Sequence, residues 1–565
     1  MKKTGVFLIL VLLTILTANS AISDIVLSNS ANWEDAYSTA QYGALQGHTP
    51  KYLMSQKHTD LILNELPKDQ KILVVESPKT PYARRYANRL KNLGYKAETM
   101  LGPEEGSLNL DLAKRLRNIK NFIIVDPTYG YSAISVIPYA QATNSYVLFA
   151  TKDTINEVTK FLDFRKPDKL LIYGDLDEKV LEELKKYSPE IIHKGNKFKD
   201  NLEIVDRYLQ IAGIKQPILT SGEFLEEEIL LAGKNQEPII FVGKHITPKY
   251  VLDYIKKQNF RVTVLIGNEL ISAAEAVRDE TNTRVFIKYA KGHAGGGGEF
   301  YKPVRGLDVF RLPSTKLNLI LESISYNTKT QQVELLLQNT EKLKTYLTTS
   351  IGIIVDGKQV LTLGDEKPQT IGGNEAKGFV YKAPELMNYF AEKKNITADI
   401  YIPYGITDDS FEYQILTKKP LVTTQELGGC KLEIKDATYI KNIQRFKIRV
   451  KGTQGCYARA RIQDLIVNDE KTTPESETKQ LESKTTEIYI KQRMTDVDLA
   501  DNPKILVKVR YGKRKQILSQ LAQKELKLKV ISKEGLTTMI LLGMGAVIIL
   551  LLLLLLLLLW KKKRK

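Results

Sequence analysis

Cysteine and histidine are scarce in this chain of 565 residues, which contains only 2 Cys and 5 His. Zinc sites built from several cysteines and small folds held by many disulfides are therefore excluded. The histidines share no common spacing, so each is expected to be a surface or packing residue. Hydrophobic residues make up 43% and charged residues 26%, which is typical of a chain with several globular domains.

Catalytic and nucleotide-binding motifs are also missing. No glycine-rich phosphate loop follows an early strand-like run, and the chain has neither a nucleophile elbow nor an HExxH pair. The run Gly295 to Gly298 leads into Glu299 and Pro303 rather than into a helix. The sequence therefore predicts no enzyme activity, no cofactor and no metal site.

Long apolar runs are absent except at the two ends. Residues 1–23 have two lysines, an apolar run and a small polar stretch, the pattern of a secretory signal peptide, with an uncleaved anchor as the alternative. Residues 536–560 are almost wholly apolar and predict a transmembrane helix. The basic residues 561–565 should stay cytoplasmic and leave the bulk of the chain extracellular, in a single-pass cell-membrane protein.

The charge is unbalanced, with 83 Lys+Arg against 65 Asp+Glu and a formal net charge of +18. Seven of these charges belong to Lys2, Lys3 and residues 561–565, which leaves 11 on the exported part. An exported basic protein is not expected to bind nucleic acid. Envelope glycans, anionic wall polymers or lipid headgroups are the expected partners, and a merely solvated basic surface is the alternative.

An internal repeat precedes residue 290. The pair Tyr37-Ser38 recurs 94 positions later, and Lys71 has a counterpart in Lys169. These matches define two units, residues 24–119 and 120–216. A shortened third unit, residues 217–290, is predicted to lack one strand and one helix, because Gly195-Asn196 matches Gly267-Asn268 at a spacing of only 72.

Continuous apolar runs alternate with amphipathic stretches in these units, as at 122–125 and 170–173. Such strands are buried on both faces, so Rossmann-like α/β units with parallel sheets are predicted. A Gly-rich linker, residues 291–312, follows. Period-2 runs then predict two antiparallel, immunoglobulin-like β-sandwiches at 313–424 and 425–533.

Cys430 and Cys456 both lie in the second predicted sandwich. Outside the cell a pair this close should form a disulfide, with two free buried thiols as the alternative. Asn395 opens the sequon Asn-Ile-Thr and is a candidate glycosylation site. The pair Asp408-Asp409 could bind calcium if a third carboxylate approached, and is otherwise a polar turn.

Three polar residues follow strand-like runs of the α/β region, namely Asp126, Asp175 and Asn268. Ligands of α/β sheets bind at the carboxyl ends of strands, so these residues form a candidate ligand edge. Asp and Asn also cap helices at such positions, and capping is the favoured interpretation.

The repeat resembles a known family. The run PYAQATNSYVLFAT, followed by DKLLIYGDLDEKVLEEL, is similar to the cell-wall-binding repeat 2 family, with Gly174-Asp175 and Gly243-Lys244 standing where that family has a glycine pair. The resemblance implies three Rossmann-like units that pack together and bind anionic wall polymers non-covalently. The whole layout also resembles membrane-anchored archaeal surface-layer proteins.

These observations predict a non-catalytic surface-layer-type structural or adhesion protein. Its α/β head would contact glycans, wall polymers, other surface proteins or a second copy of itself. The alternative is a surface solute receptor or extracellular enzyme with its ligand at the strand edge near Asp126, Asp175 and Asn268.

Overall fold

A computed structural model describes most of the chain between residues 24 and 532. The described residues are 24–102, 108–213, 216–267, 270–288, 310–425, 429–468 and 470–532. They form two compact units. The first contains the described residues up to Leu317 together with Thr345–Leu347 and Pro403–Gln414; the second contains Asn318–Lys344, Thr348–Ile402 and the described residues from Ile415 onward.

The first unit contains three four-stranded parallel sheets with one shared strand order, β2-β1-β3-β4, β6-β5-β7-β8 and β11-β9-β12-β13. The predicted α/β repeats are therefore confirmed. The strands are β1 Ile25–Asn29, β2 Thr49–Tyr52, β3 Lys71–Glu76, β4 Lys96–Leu101, β5 Asn121–Val125, β6 Ser145–Phe149, β7 Lys169–Tyr173, β8 Glu190–Ile192, β9 Ile218–Thr220, β10 Phe224–Leu225, β11 Ile239–Phe241, β12 Val262–Ile266, β13 Arg284–Lys288 and β14 Phe310–Arg311.

Helices connect these strands. The central strands β1 and β9 are buried along their whole length, and β5 is buried at all but its first residue, because helices cover both faces of each sheet. The helices are α1 Trp33–Leu45, α2 His58–Leu61, α3 Tyr86–Asn92, α4 Leu108–Arg115, α5 Tyr131–Ala142, α6 Ile155–Arg165, α7 Glu178–Leu184, α8 Lys197–Ala212, α9 Glu227–Asn235, α10 Lys249–Gln258 and α11 Ile271–Thr281. Short 3₁₀ turns occur at Ile62–Glu65 and Lys185–Tyr187.

The third α/β unit keeps all four strands of its sheet, so the predicted loss of a strand is wrong. From its first to its fourth strand the third unit spans residues 218–288, nearly the same length as residues 121–192 of the second unit. The first two units have a helix after their fourth strand, α4 and α8. In the third unit the residues that follow β13, 289–309, lie outside the described part, and the predicted linker lies mostly within them.

An asparagine side chain joins the first α/β sheet to the second. Asn109, on α4, is 1% exposed. Its Nδ2 donates to the carbonyl of Val147 at 2.9 Å, and its Oδ1 accepts from the Phe149 N–H at 3.0 Å. The side chain therefore satisfies the free backbone groups of edge strand β6 as a neighbouring strand would.

The second and third sheets are joined in the same way. Asn201, on α8 and fully buried, donates through Nδ2 to the Ile239 carbonyl at 3.0 Å and accepts from the Phe241 N–H at 2.8 Å. Each asparagine Nδ2 also donates a hydrogen bond to a serine hydroxyl, that of Asn109 to Ser38 at 3.0 Å and that of Asn201 to Ser135 at 2.7 Å. We call these two contacts the asparagine clamps.

The rest of the chain is rich in sheet, as predicted. The strands of the first sandwich are β15 Leu319–Asn327, β16 Gln332–Asn339, β17 Thr345–Leu347, β18 Ser350–Val355, β19 Lys358–Gly364, β20 Gln369–Ile371, β21 Ala376–Lys382, β22 Ile396–Gly405, β23 Phe411–Pro420 and β24 Val422–Thr424, with helix α12 Leu386–Ala391. Its sheets have the orders β21-β16-β15-β24 and β19-β18-β22-β17-β20, and β23 pairs with β22.

The second sandwich has the sheet orders β31-β26-β25-β34 and β30-β27-β32-β33. Its strands are β25 Leu432–Ile440, β26 Arg445–Gly452, β27 Tyr457–Gln463, β28 Leu465–Val467, β29 Glu470–Thr472, β30 Lys479–Gln480, β31 Thr485–Lys491, β32 Lys504–Gly512, β33 Gln520–Lys527 and β34 Lys529–Ile531. Helix α13 is Asp496–Asp501, and a 3₁₀ turn lies at Lys441–Ile443.

The two sandwiches repeat each other. β21-β16-β15-β24 and β31-β26-β25-β34 have the same topology, with a β-bulge at Leu321/Ser323 in β15 and at Ile434/Asp436 in β25. In both sheets the last short strand pairs in parallel with the first, β24 with β15 and β34 with β25. The prediction of purely antiparallel sandwiches is therefore wrong at one edge of each domain.

The hairpin between β32 and β33 packs on the first sandwich within the second unit. The Gly378 N–H donates to the Gln516 carbonyl at 2.6 Å. Arg514 Nη2 donates to both carboxylate oxygens of Glu334, each at 2.7 Å, although the Glu334 side chain is fully buried. Lys377 and Glu475 form a second ion pair at 2.6 Å, with side chains 12% and 22% exposed. Charge pairs that are largely shielded from water thus fix this docking.

None of the helices in the described part is long and apolar enough to cross a membrane. The predicted signal peptide, the predicted span at 536–560 and the basic tail at 561–565 all lie outside the described residues.

Candidate functional site

The predicted ligand edge is only partly assembled. Asp126 and Asp175 follow β5 and β7, which pair in parallel, so both residues lie at the carboxyl edge of the second sheet. Asn268 lies outside the described residues. The structure therefore brings two of the three predicted residues to one sheet edge.

The interpretation of these aspartates as helix caps is wrong. Asp126 Oδ1 accepts from the Thr128 N–H at 2.7 Å and closes a turn, while Gly130 occupies the N-cap of α5. The cap of α7 is Asp177, whose carboxylate accepts from the Lys179 N–H, and not the exposed Asp175.

Asp126 belongs electrostatically to an acidic cluster at the start of α1. Burial, together with the nearby charges of Asp35 and Asp126, raises the pKa of Glu34 to about 7. Burial also raises the pKa of Asp35, against the opposing effect of hydrogen bonds from Ser30 and Ser77. No group among the described residues hydrogen-bonds the Glu34 carboxyl, so it is available to a ligand.

Asp175 has different neighbours. Burial raises the pKa of Tyr131, and the nearby Tyr129, Asp175 and Asp200 raise this pKa as well, by smaller amounts. Asp200 is itself buried, and its Oδ2 lies 4.0 Å from His193 Nδ1. The two predicted aspartates therefore contribute to two separate electrostatic environments.

A cavity of about 570 Å³ opens beside the acidic cluster. It lies at the start of α1, near the carboxyl end of β1, where ligands of α/β sheets are expected. Arg311 is exposed, and its guanidinium carbon lies 5.8 Å from the centre of the Phe224 ring. The lining residues are Ala31, Asn32, Trp33, Glu34, Thr80, Phe310, Arg311, Leu312 and Pro313. We call this the α1 cavity.

The α1 cavity can bind a hydroxyl-rich ligand. Glu34 can accept hydrogen bonds from hydroxyl groups, Arg311 can donate them, and Trp33 and Phe310 add aromatic surface. Glu34, Asp35 and Asp126 together disfavour an anion. The described residues contain no group of three His, Cys, Asp or Glu side chains placed to hold a metal ion.

Sequence analysis missed this cavity. Glu34 is the second residue of a helix and does not directly follow a strand, and Phe310 to Pro313 lie far away in sequence. They reach the first unit because β14 pairs with β10. The only signal was the acidic pair Glu34-Asp35 just before the first repeat match.

The segment Pro403–Gln414 also belongs to the first unit. Lys197, at the start of α8, lies 2.8 Å from Glu412 Oε2, and the two side chains are 8% and 2% exposed. Asp409 pairs with Lys199 and accepts from Asn196 Nδ2 at 3.0 Å. Asp409 therefore binds protein donors, and the described residues supply no third carboxylate for calcium.

The remaining predicted residues lie in the sandwiches. Cys430 and Cys456 form a disulfide, and both are buried in the core of the second sandwich. Asn395 is exposed, and its backbone N–H donates to Asp356 Oδ1 at 3.2 Å. Its side chain is therefore accessible, while its glycosylation stays a prediction.

Comparisons with known proteins give no family. No family model matches the chain, and no curated protein matches it. Similar solved structures include Cwp8 from Clostridium difficile, with 16% identity, a TM-score of 0.38 and coverage of 46% of this chain and 47% of that chain. Cwp6 from Clostridium difficile has 12% identity, a TM-score of 0.35 and coverage of 47% and 41%.

A third match is the ligand binding region of serine-glutamate repeat protein A of Enterococcus faecium, with 15% identity, a TM-score of 0.14 and coverage of 18% of this chain and 98% of that chain. The chain spans less than half the length of the two Clostridium difficile structures. Similarity at this level carries no information on partner or activity, and membership of the cell-wall-binding repeat 2 family stays a prediction.

Proposed function

We propose that the chain is a non-catalytic cell-surface protein of the envelope, of the surface-layer or adhesion type. Residues 1–23 direct its export, residues 536–560 hold it in the membrane, and the basic tail remains cytoplasmic. The α/β head contacts envelope glycans, and its outer surface contacts other surface proteins or further copies of the chain. Weak contacts repeated over many copies give the attachment its strength.

The α1 cavity is the observation that carries this proposal. It places an unpaired carboxyl, an exposed guanidinium and two aromatic side chains around one open cleft, the combination of groups that binds sugar hydroxyls and sugar faces. The acidic cluster favours a neutral glycan over the anionic wall polymers that the family resemblance implies.

The first test is glycan binding by the purified full-length protein. We expect neutral envelope polysaccharide to bind, and the Glu34→Gln and Arg311→Ala variants to bind about tenfold more weakly, since each loses a charge-assisted hydrogen bond. Arg117→Ala, which changes an exposed arginine outside the cavity, is the matched control. Binding of anionic polymer alone, or equal binding by all variants, would contradict the assignment of the cavity.

The second test is electron microscopy of the native cell surface, with the protein labelled or deleted. We expect label on the outer face, as a lattice or in dense patches. Label confined to the cell interior, or its scarcity at the surface, would contradict the proposed location.

A solute receptor or extracellular enzyme is the second candidate, and the unpaired Glu34 carboxyl with a pKa of about 7 favours it. The two candidates differ in the ligand. A receptor binds free monosaccharides or other small solutes as tightly as polymer, and an enzyme also converts them. A surface adhesin binds the polymer much more tightly, because each chain offers many sugar residues.

A further inference from the structure

One end of the second sandwich brings four strand ends into a single row. Ile440, the last residue of β25, pairs with Arg445 on one side and with Ile531 on the other. Arg445 in turn pairs with Lys491, the last residue of β31. The loops after β25 and β31 meet at this row, where the Gln492 N–H donates to the Gln444 carbonyl at 3.2 Å. We call this surface the basic end.

The basic end carries positive charges without counterions in the protein. Arg445, Lys491 and Arg493 are exposed, and no described carboxylate lies within ion-pair distance of any of them. Arg445 and Lys491 stand directly opposite each other on paired strands, an arrangement that is unfavourable without an external anion. An anionic partner would relieve this repulsion.

Apolar side chains are exposed beside these charges. Ile443 is 45% exposed, Ile531 is 52% exposed and Val497 is 69% exposed. Lys441 Nζ lies 2.7 Å from Asp496 Oδ1, which places the start of α13, and hence Val497, beside the loop that contains Ile443. Cationic and apolar groups side by side are the combination that binds the interface of an anionic bilayer.

The chain leaves the sandwich at this same end. The last strand, β34, finishes at Ile531, inside the row described above. Only residues 532–535 separate it from the predicted membrane span at 536–560. Four extended residues reach about 14 Å at most, so a helix inserted at 536 keeps the basic end close to the lipid headgroups.

We propose that the basic end lies on the membrane surface, with Arg445, Lys491 and Arg493 binding anionic lipid headgroups and with Ile443 and Val497 entering the interface. This contact rests on the proposed membrane anchoring. It adds to the anchor a second attachment that fixes the orientation of the second sandwich, and it makes that orientation sensitive to lipid charge and to salt.

The test uses the full chain in lipid nanodiscs that contain either phosphatidylcholine alone or phosphatidylcholine with phosphatidylglycerol. Because both native cysteines are disulfide-bonded, an Ile443→Cys variant takes a single polarity-sensitive fluorophore. We expect its emission to shift to shorter wavelength, and to be quenched by nitroxide-labelled lipid, when phosphatidylglycerol is present and salt is low. The matched control is Leu521→Cys, which replaces an exposed residue of β33 in the same sandwich.

Charge reversal tests the anionic partner. Arg445→Glu combined with Lys491→Glu should reduce the ratio of docked to undocked protein at least tenfold, since each basic side chain near an anionic surface contributes a factor of about five. Lys418→Glu combined with Lys419→Glu, two exposed lysines of β23, should change nothing. High salt applied to the unmodified chain gives the same loss without any substitution and is independent of misfolding in the variant.

The outcomes separate this inference from the proposed function. A chain that fails to enter nanodiscs at all contradicts the membrane anchor. A chain that inserts, but whose label at position 443 behaves like the label at position 521 in both lipids, overturns the basic end alone. Docking that is equally strong on uncharged lipid also overturns it, because the contact would then not depend on headgroup charge.

Discussion

At the scale of single residues, the two asparagine clamps are the same contact made twice, once between the first and second α/β sheets and once between the second and third. Asn109 and Asn201 lie 92 positions apart, and each is followed by leucine, Leu110 and Leu202. A repeat search limited to strand-like runs and glycines passes over such a pair, because an asparagine in a helix is ordinarily a surface residue. The disulfide, by contrast, was predictable from the proximity of Cys430 and Cys456 in the sequence and from the expected export.

The Asn201→Ala variant should lower the free energy of unfolding of the first unit by about 2 to 4 kcal/mol. The substitution leaves the Ile239 carbonyl and the Phe241 N–H buried without a partner. Urea denaturation followed by far-UV circular dichroism measures the change. Asn156→Ala, at an exposed position of α6, is the control and should change stability by less than about 0.5 kcal/mol. Equal effects of the two substitutions would show that the clamp contributes nothing.

The Glu34→Gln variant should flatten the pH dependence of stability. Glu34 has a pKa of about 7 in the folded chain against 4.5 for the free side chain, so the folded state holds the proton more tightly. The stabilising contribution of protonated Glu34 is therefore fully present below pH 4.5 and is lost as the pH rises to 7 and above, by about 3 kcal/mol at most.

Unfolding free energies of both proteins at pH 5 and at pH 8 measure this effect. The difference between variant and parent should be larger, in favour of the variant, at pH 8. Asp126→Asn should lower the pKa of Glu34 and reduce the fall. A parent that loses no more stability than the variant between the two pH values would contradict the prediction.

At the scale of elements, the alternation of strand and helix was predictable because continuous apolar runs mark strands that are covered on both faces. The prediction that the third unit lacks a strand came from a misalignment of the repeats. Gly195 precedes α8, after a fourth strand, whereas Gly267 follows β12, a third strand. The true counterpart of Gly267 is Gly174, after β7, at a spacing of 93; both glycines have positive φ.

The ion pair between Lys197 and Glu412 gives a prediction for the segment Pro403–Gln414. Lys197→Met alone should destabilise the first unit by about 3 to 5 kcal/mol, because it leaves the Glu412 carboxylate buried without its partner. Combining Lys197→Met with Glu412→Leu should recover most of this loss. Amide hydrogen exchange of residues 403–414, together with urea denaturation, measures both effects.

The exposed pair Lys249 and Asp253 on α10 is the control, and Lys249→Met there should cost less than about 1 kcal/mol. If the double variant is as unstable as Lys197→Met alone, the loss comes from packing rather than from the unpaired charge.

At the scale of the whole molecule, the succession of α/β units and sandwiches was predictable from the change of hydrophobic period near the Gly-rich stretch. The repetition of one sandwich topology in the other was not predictable from the sequence. Its marker is the bulge at 321/323 and again at 434/436, a spacing of 113, and a bulge depends on strand pairing rather than on residue type.

Gly378→Ala should weaken the docking of the two sandwiches. A Cβ atom there would lie 2.6 Å from Ile517 Cγ1 and 2.8 Å from the Gln516 carbonyl oxygen. We expect a loss of about 1 to 3 kcal/mol and earlier unfolding of the hairpin between β32 and β33. Differential scanning calorimetry and protease cleavage near Arg514 measure the two effects.

Gly352→Ala is the matched control in another strand of the same unit, because its Cβ would meet only the flexible end of Gln359, at 3.2 Å. Unchanged unfolding of Gly378→Ala relative to this control would mean that the backbone contact is not needed for docking.

The strand register also shows where the two sandwiches differ at their docking position. In the first sandwich Ser323 pairs with Leu336, which pairs on its other side with Gly378. At the equivalent positions of the second sandwich, Asp436 pairs with Arg449, which pairs with Glu487. Where the first sandwich has Gly378, which admits the hairpin of the second, the second sandwich has Glu487, whose side chain pairs with Lys447. The position that admits a neighbouring backbone in the first sandwich is therefore occupied in the second by a charged side chain, so a Glu487→Gly substitution would open the same strand position to a docking partner.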